Sequence, residues 1–148
     1  MIKRSVLFVC IHNSARSQMA EAFLKQLGKE NFEAESAGIE PGILNPVVVK
    51  VMMEAGIDIS QHATKDVFSL FLQGKKYDAV VTVCDAASAE RCPVFPGSVK
   101  RLAWSFTDPS QFKGSEEDIL TQTRQVRDEI KSKIEAYIEQ ASDHKFWQ

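Results

Sequence analysis

The sequence lacks the long apolar segments of a membrane protein. No run among its 148 residues approaches the ~18 apolar residues that a membrane-spanning helix needs. Lys3 and Arg4 precede an apolar run, as in a secretion signal, but that run (residues 6–11) is shorter than the usual ~7–15 apolar residues and polar residues follow it. We therefore expect a buried first strand, a cytoplasmic protein and no membrane partner.

The chain also has little excess charge. Its formal net charge is −2 and its isoelectric point is about 5.9. Such a protein has no overall field that attracts nucleic acid or an anionic membrane. If the protein binds an anion, a local site must provide the positive charge.

Cysteine is scarce, with three residues in the whole chain. An odd count would leave one cysteine over from a simple structural pairing, and cytoplasmic disulfides are mostly transient and catalytic. A zinc site needs about four ligands. Because the cysteines and the scattered histidines have no standard zinc spacing, we predict no zinc site.

Short apolar segments alternate with amphipathic ones along a chain of ordinary domain length. This alternation indicates βαβ units, hence a single α/β domain (residues 1–148) with a parallel sheet flanked by helices. The predicted strands are residues 5–10, 32–37, 78–83 and 99–103. The first predicted helix follows the loop after the first strand and ends at residue 27, and the others are residues 46–55, 65–73 and 116–141. The tail after residue 142 could fray or could pack back through Phe146 and Trp147.

Residues 10–17 (CIHNSARS) have the form C-x5-R-S between an apolar strand and the start of a helix. The first N–H groups of a helix are unpaired and its dipole favours negative charge, so a loop curling into this end forms a concave set of donors. Arg16 adds a planar fork for two oxygens of a tetrahedral oxyanion. Cys10 would lie at the base of the loop, where these groups favour its nucleophilic thiolate form.

Alternatively, Cys10 is simply a buried cysteine at a strand end. The C-x5-R pattern alone is weak, but its position between strand and helix favours an anion site. The predicted oxyanion loop consists of Cys10, Ile11, His12, Asn13, Ser14, Ala15, Arg16 and Ser17.

Within the loop, His12 could contact the anion or lie exposed, and we favour exposure without a role. Asn13 tolerates the left-handed backbone that a tight loop often needs. Ser17 could cap the helix, hydrogen-bond the Cys10 thiolate, or do both.

Two further features follow the later strands. Cys84 and Cys92 are separated by seven mostly polar residues with no predicted element between them, so they could be unrelated thiols or a pair that exchanges disulfides with Cys10. Asp108 precedes Pro109 after the last strand, where it could begin a turn or act as a general acid. Beside Cys10 and Arg16, the catalytic interpretation of both features is favoured.

The chain resembles the arsenate reductases built on the low-molecular-weight protein tyrosine phosphatase fold. The resemblance runs essentially end to end. It is carried by residues 9–21 (VCIHNSARSQMAE), 36–38 (SAG), 56–60 (GIDIS), 84–93 (CDAASAERCP) and 104–109 (WSFTDP). It implies a four-stranded parallel sheet flanked by helices.

The resemblance also implies a mechanism with arsenate as substrate and phosphate or sulfate as competing anions. Cys10 attacks arsenate held by the loop and Arg16, while Asp108 protonates the departing oxygen. Cys84 then attacks Cys10 and arsenite leaves, and Cys92 attacks Cys84. Thioredoxin would reduce the resulting disulfide, and the segment between the two cysteines would have to move.

No tightly bound cofactor is implied, but some similar proteins bind potassium near the loop. The matching positions are Asn13, Glu21, Ser36 and Asp66. Glu21 and Asp66 could equally be ordinary surface or capping carboxylates.

Three departures separate the chain from phosphotyrosine phosphatases of this fold. Those usually have glycine before the loop asparagine, cysteine before the loop arginine and an aromatic residue after Asp-Pro. This chain has His12, Ala15 and then Ser110 with Gln111, which favours a small inorganic oxyanion. The interval between the later cysteines, however, is about one residue longer than in well-known thioredoxin-coupled members.

Two other functions remain open. A phosphatase acting on phosphotyrosine or small phosphomonoesters would use Cys10, Arg16 and Asp108 unchanged but would leave the later cysteines without a role. A non-catalytic oxyanion or redox sensor is disfavoured by the complete set of nucleophile, arginine and acid. We expect a monomer, since no apolar stripe is left unexplained.

Overall fold

A four-stranded parallel sheet runs through the centre of the protein. The structure, a computed structural model, describes residues 3–97 and 99–148. The strands are β1 (Arg4–Cys10), β2 (Phe32–Gly38), β3 (Ala79–Thr82) and β4 (Lys100–Ala103), in the order β2-β1-β3-β4. This confirms the predicted α/β fold with a parallel sheet.

Helices cover the sheet. They are α1 (Arg16–Leu27), α2 (Pro46–Glu54), α3 (Val67–Leu72), α4 (Ala86–Ala89) and α5 (Glu116–Ala141), with 3-10 turns at Pro109–Gln111 and His144–Trp147. Helix α5 begins at a capping box, in which Ser115 and Asp118 each accept a hydrogen bond from the other's backbone N–H. Among the described residues, no helix is long and apolar enough to cross a membrane.

Strand β1 separates two apolar cores because successive side chains of a strand point to opposite faces. Val6 and Phe8 join the core under α1 and α5, which we call the first core, and it includes Phe23 and Ile130. Leu7 and Val9 join the second core on the other face, with Val80 and Phe95 among its members. A strand buried on both faces explains the continuous apolar run in the sequence.

Helix α4 corrects the prediction that no element lies between Cys84 and Cys92. The Asp85 carboxylate accepts a hydrogen bond from the Ser88 backbone N–H at 2.8 Å, which is the contact of a helix cap. An aspartate followed by a run that includes alanines, which favour helix, is sufficient to start this single turn.

The C-terminal tail packs back on the body. Trp147 donates from Nε1 to the Ala141 carbonyl at 2.8 Å, and the Phe146 ring meets Tyr137 edge-on with centroids 5.6 Å apart. The Arg4 guanidinium lies 4.6 Å from the centroid of the Trp147 ring. Of the two open alternatives for the tail, the structure therefore shows the packed one.

Candidate active site

The loop between β1 and α1 curves around a buried asparagine. Asn13 is fully buried with a positive φ of 55°, which fits the predicted left-handed backbone. Its side chain donates from Nδ2 to Ser17 Oγ at 2.8 Å and accepts at Oδ1 from the Lys65 backbone N–H at 2.9 Å. Asn13 thus fixes the loop from inside and ties it to the connector before α3.

Cys10 lies at the base of this loop with only 3% of its surface exposed. Its sulfur is 2.8 Å from Ser17 Oγ and accepts from the Asn13 backbone N–H at 3.2 Å. Because Asn13 Nδ2 can only donate, Ser17 Oγ accepts from it and keeps its own hydrogen for the sulfur. Two hydrogen-bond donors therefore face the sulfur.

Ser17 therefore takes the second of its two predicted roles, the contact with Cys10. Helix α1 instead begins after Ala15, which gives no side-chain cap within the described part of the chain. The first N–H groups of the helix thus lack the acceptor that a capping side chain supplies, as an anion-binding helix end requires.

Arg16 and Asp108 meet beside the loop. The buried guanidinium donates from Nη1 to the Phe106 carbonyl at 3.4 Å and approaches Asp108 Oδ2 with Nη2 at 3.6 Å. Asp108 Oδ1 accepts from the Ser110 backbone N–H at 3.0 Å, capping the 3-10 turn. Both predicted roles of Asp108 are thus compatible, since one oxygen fixes the turn while the other faces the arginine.

The outer side of the loop rests on the chain that follows β2. His12 is exposed, as predicted, and its Nδ1 lies 2.8 Å from the Glu40 carbonyl. The Ile11 and Ser14 carbonyls accept from the backbone N–H groups of Glu40 and Asn45, at 2.7 and 2.9 Å. The backbone of this loop is therefore held along most of its length.

Two positioning residues were not predicted from the sequence. Gln18 Nε2 donates to the Asn13 carbonyl and to the Ala63 carbonyl, each at 3.1 Å, and is buried. The Lys65 carbonyl accepts a hydrogen bond from the Gly38 backbone N–H at 2.7 Å. For Gln18, its place in the first turn of the helix that follows the loop is a signal that the sequence offers. For Lys65 the neighbouring sequence offers none, because its contacts are backbone hydrogen bonds to distant residues.

Cys84 lies in the same core as Cys10. The chain continues alongside β1 beyond the end of β3, since the Val83 N–H donates to the Val9 carbonyl at 2.8 Å. Burial, and then the neighbouring Cys10, raise the pKa of the Cys84 thiol. The structure thus places Cys84 in the same core as Cys10, close enough for the two groups to interact electrostatically, as the exchange hypothesis requires.

Cys92 lies elsewhere. It packs against the second core, on the opposite face of the sheet from Cys10 and Cys84. Its sulfur is 3.6 Å from the Pro93 carbonyl, and burial raises its pKa to about 11. All three cysteines are free thiols, and Cys84 also contributes to the raised pKa of Cys92.

Alkylation of Cys92 is expected to depend steeply on pH. A thiol with a pKa of about 11 is protonated at neutral pH, so its reaction with iodoacetamide should accelerate about tenfold per pH unit between pH 7 and 10. Because the folded state holds this proton more tightly than the unfolded chain, stability should also fall as the pH rises from about 8.5 toward 11. Mass spectrometry of peptides after timed alkylation measures the rate. The denatured chain is the control, and equal rates at pH 7 in both states would contradict the prediction.

The four residues predicted to hold potassium do not form an open set of oxygens. Glu21 is buried and its carboxylate already meets Lys25 Nζ at 2.9 Å and Lys65 Nζ at 3.6 Å. Asp66 caps α3 through the Phe68 N–H at 2.9 Å, and Asn13 Oδ1 accepts from Lys65. Within residues 3–97 and 99–148, no three histidine, cysteine or acidic side chains are grouped to hold a metal ion. The arrangement does not fit potassium, because protein ammonium groups already balance Glu21.

A parallel sheet, a loop at its carboxyl edge and a buried thiol at the base of that loop are together typical of enzymes that use a cysteine nucleophile on a tetrahedral oxyanion. The chain belongs to the low molecular weight phosphotyrosine protein phosphatase family, whose model matches residues 5–145. This confirms the family resemblance and the fold predicted from the motifs.

Within the family, the chain is similar to arsenate reductases. It is 43% identical to the arsenate reductase of Shouchella clausii (strain KSM-K16) over 139 residues, 94% of this chain and 98% of the relative. The crystal structure of arsenate reductase from Archaeoglobus fulgidus superposes with a TM-score of 0.72 at 31% identity, over 90% of this chain and 98% of that one. A Corynebacterium glutamicum thioredoxin-dependent arsenate reductase superposes with a TM-score of 0.61 at 25% identity, over 93% of this chain and 64% of that one.

Proposed function

We propose that this protein reduces arsenate to arsenite in the cytoplasm, as a monomer, with phosphate and sulfate as competing anions. The observation that carries the proposal is a second thiol, Cys84, buried in the same core as the nucleophile Cys10. Hydrolysis of a phosphate ester needs no such thiol, whereas reduction needs a second source of electrons. The similarity to named arsenate reductases supports the same substrate.

In the first step, the Cys10 thiolate attacks arsenic while Arg16 and the loop N–H groups hold the other oxygens. An As–O bond breaks, and Asp108 donates a proton so that the oxygen leaves as water. The product is a thioester of arsenate on Cys10, with arsenic still in the +5 state. The approach of Asp108 Oδ2 to Arg16 Nη2, at 3.6 Å, supports this assignment because Arg16 would hold the anion.

In the second step, the Cys84 thiolate attacks the Cys10 sulfur. A Cys10–Cys84 disulfide forms, the S–As electron pair passes to arsenic, and arsenite leaves in the +3 state. Two thiols have then lost two electrons and arsenic has gained them. Burial raises the pKa of Cys84, so its thiol proton must leave as it attacks, and the oxygens of the departing arsenite can accept that proton.

Cys92 then attacks Cys84, which releases Cys10 and leaves a Cys84–Cys92 disulfide for thioredoxin to reduce. Cys92 starts against the opposite core, so helix α4 must unwind or swing for this attack. Unwinding a single helical turn held by the Asp85 cap should require little free energy, since isolated turns are unstable in water. The thioredoxin dependence of the Corynebacterium relative supports this choice of reductant.

The test is arsenate-dependent NADPH oxidation with thioredoxin and thioredoxin reductase. The native chain should turn over repeatedly, while Cys84→Ser and Cys92→Ser should each make no more than about one arsenite per protein. Both variants should still hydrolyse a small aryl phosphate, which shows that the anion loop is intact. If no thiol reductant supports arsenate turnover, while hydrolysis requires only Cys10 and Asp108, the protein is a phosphatase.

Phosphatase activity is the second candidate function. Cys10, Arg16 and Asp108 have the same arrangement that phosphoester hydrolysis would use, through a phosphocysteine intermediate. The family assignment is consistent with residual activity of this kind. It leaves the burial of Cys84 beside Cys10 without a chemical role, which is why arsenate reduction is preferred.

A further inference from the structure

Glu21 is a buried carboxylate that the chemistry does not use. Only 3% of the residue is exposed, and it lies in α1 one turn beyond Ser17. Its Oε1 accepts from the Ser36 hydroxyl at 2.8 Å. Burying a charged carboxylate is costly unless opposite charges and hydrogen bonds compensate it, so its surroundings must supply positive charge.

Two lysines supply that charge, and a histidine lies nearby. Lys25 Nζ, one turn along α1, is 2.9 Å from Oε2, and Lys65 Nζ, from the connector before α3, is 3.6 Å from Oε1. His62 Nδ1 lies 3.8 Å from Oε2 and 3.0 Å from Gln18 Oε1. Glu21 is therefore enclosed by basic side chains from two elements.

Lys65 differs from Lys25 because its backbone contacts the oxyanion loop region directly. Its N–H donates to Asn13 Oδ1 at 2.9 Å and its carbonyl accepts from the Gly38 N–H at 2.7 Å. Asn13 in turn contacts Ser17, which faces the Cys10 sulfur. A chain of short contacts thus joins the buried Glu21 charge to the nucleophile's surroundings.

We propose that the Lys65 ammonium serves as a built-in cation that positions this loop, so that oxyanion binding needs no monovalent metal ion. The Nζ–Glu21 contact fixes residue 65, and the two backbone bonds of residue 65 hold Asn13 and Gly38 in place. Lys65 is a positioning residue, since it touches the loop and not the reacting atoms. The proposal rests on the anion site of the proposed function but not on arsenate as its substrate.

A cavity beside this cluster makes the proposal testable by substitution. It measures about 200 Å³ and is lined by Gln18, Glu21, Lys25, His62, Ala63 and Lys65. Removing the Lys65 ammonium would leave Glu21 with less positive charge next to a space large enough for a hydrated ion. A potassium ion should then be able to take the place of the lost charge.

The experiment measures phosphate binding by calorimetry in potassium, sodium or tetramethylammonium chloride at constant ionic strength. The native chain should bind phosphate with the same Kd in all three salts, within about twofold. In Lys65→Met, Kd should rise about tenfold in tetramethylammonium and return most of the way in potassium. Lys65→Arg keeps the charge and should remain independent of the salt.

Lys50→Met is the matched control, because Lys50 in α2 pairs with the exposed Glu116 of α5 at 3.9 Å and contributes nothing to the cluster around Glu21. It should bind phosphate like the native chain. Potassium tightening the native chain several-fold would overturn the proposal, as would unaltered binding by Lys65→Met. Weaker phosphate binding in Lys65→Met would also overturn the proposal if the Tm falls as well and potassium does not restore the affinity. Such a result would be a purely structural effect. Phosphate is the probe throughout, so a protein that fails to reduce arsenate still gives a valid test.

Discussion

Replacing Cys10 with serine is expected to abolish both arsenate reduction and aryl phosphate hydrolysis. The serine hydroxyl is far less acidic than a thiol, and the two donors that face the sulfur, Ser17 Oγ and the Asn13 N–H, cannot make it an effective nucleophile. We expect kcat/KM to fall by roughly four orders of magnitude or more in both reactions. Steady-state assays with arsenate and with para-nitrophenyl phosphate measure the loss.

The same variant should keep its fold and its anion site. Serine is smaller than cysteine and can keep a hydrogen bond to Ser17, so phosphate binding by calorimetry should remain within a few-fold of the native chain. Cys84→Ser is the control, because it lies in the same core but should keep aryl phosphate hydrolysis. Retention of more than about a hundredth of the hydrolytic activity in Cys10→Ser would assign the nucleophile elsewhere.

Replacing Gly38 with alanine is expected to distort the oxyanion loop. A Cβ at this position would lie 2.8 Å from the Ile11 carbonyl oxygen and 2.9 Å from both the Asn13 nitrogen and the His12 carbonyl carbon. All three are backbone atoms, so the loop itself must move. Overpacking of this kind costs about 1–3 kcal/mol, and a shift of the loop by about 1 Å can cost about a hundredfold in rate.

The expected result for Gly38→Ala is therefore a fall of about a hundredfold in kcat/KM for aryl phosphate together with a lower Tm. Gly42→Ala is the matched control, since its Cβ would lie 3.4 Å from the nearest atom, the His12 Cβ, which is close to ordinary contact. That variant should keep its activity within about twofold. Native-like kinetics in Gly38→Ala would show that the loop geometry tolerates a large displacement.

The sequence predicted the elements that depend on local patterns. The apolar run of β1, the C-x5-R-S loop and the long amphipathic helix α5 each carry their signal within a few turns of chain. The positions of Arg16 and Asp108 followed because parallel strands end at the same edge of a sheet. The contact between these two side chains, at 3.6 Å, agrees with that expectation.

Features set by distant contacts were not predictable in the same way. Nothing near Lys65 indicates that its backbone holds Asn13, which is far away in the sequence. The face on which Cys92 lies depends on how the chain turns after β3, and an aspartate such as Asp85 is as common in a polar connector as at the cap of a helical turn like α4. The packing of the tail depends on Tyr137 and Arg4, which belong to other elements, so local sequence does not determine it.

The placement of Cys92 against the second core has a consequence for the timing of electron transfer. In the resting protein, Cys92 packs against the second core while Cys10 and Cys84 belong to the first, although Cys84 is near enough to help raise the pKa of Cys92. On the proposed function, Cys92 must leave this packing before it forms a disulfide with Cys84, which would slow oxidation of the pair in the absence of arsenate. Thioredoxin would then supply electrons mainly after Cys84 has reacted with Cys10, which makes the use of cellular reducing power conditional on substrate.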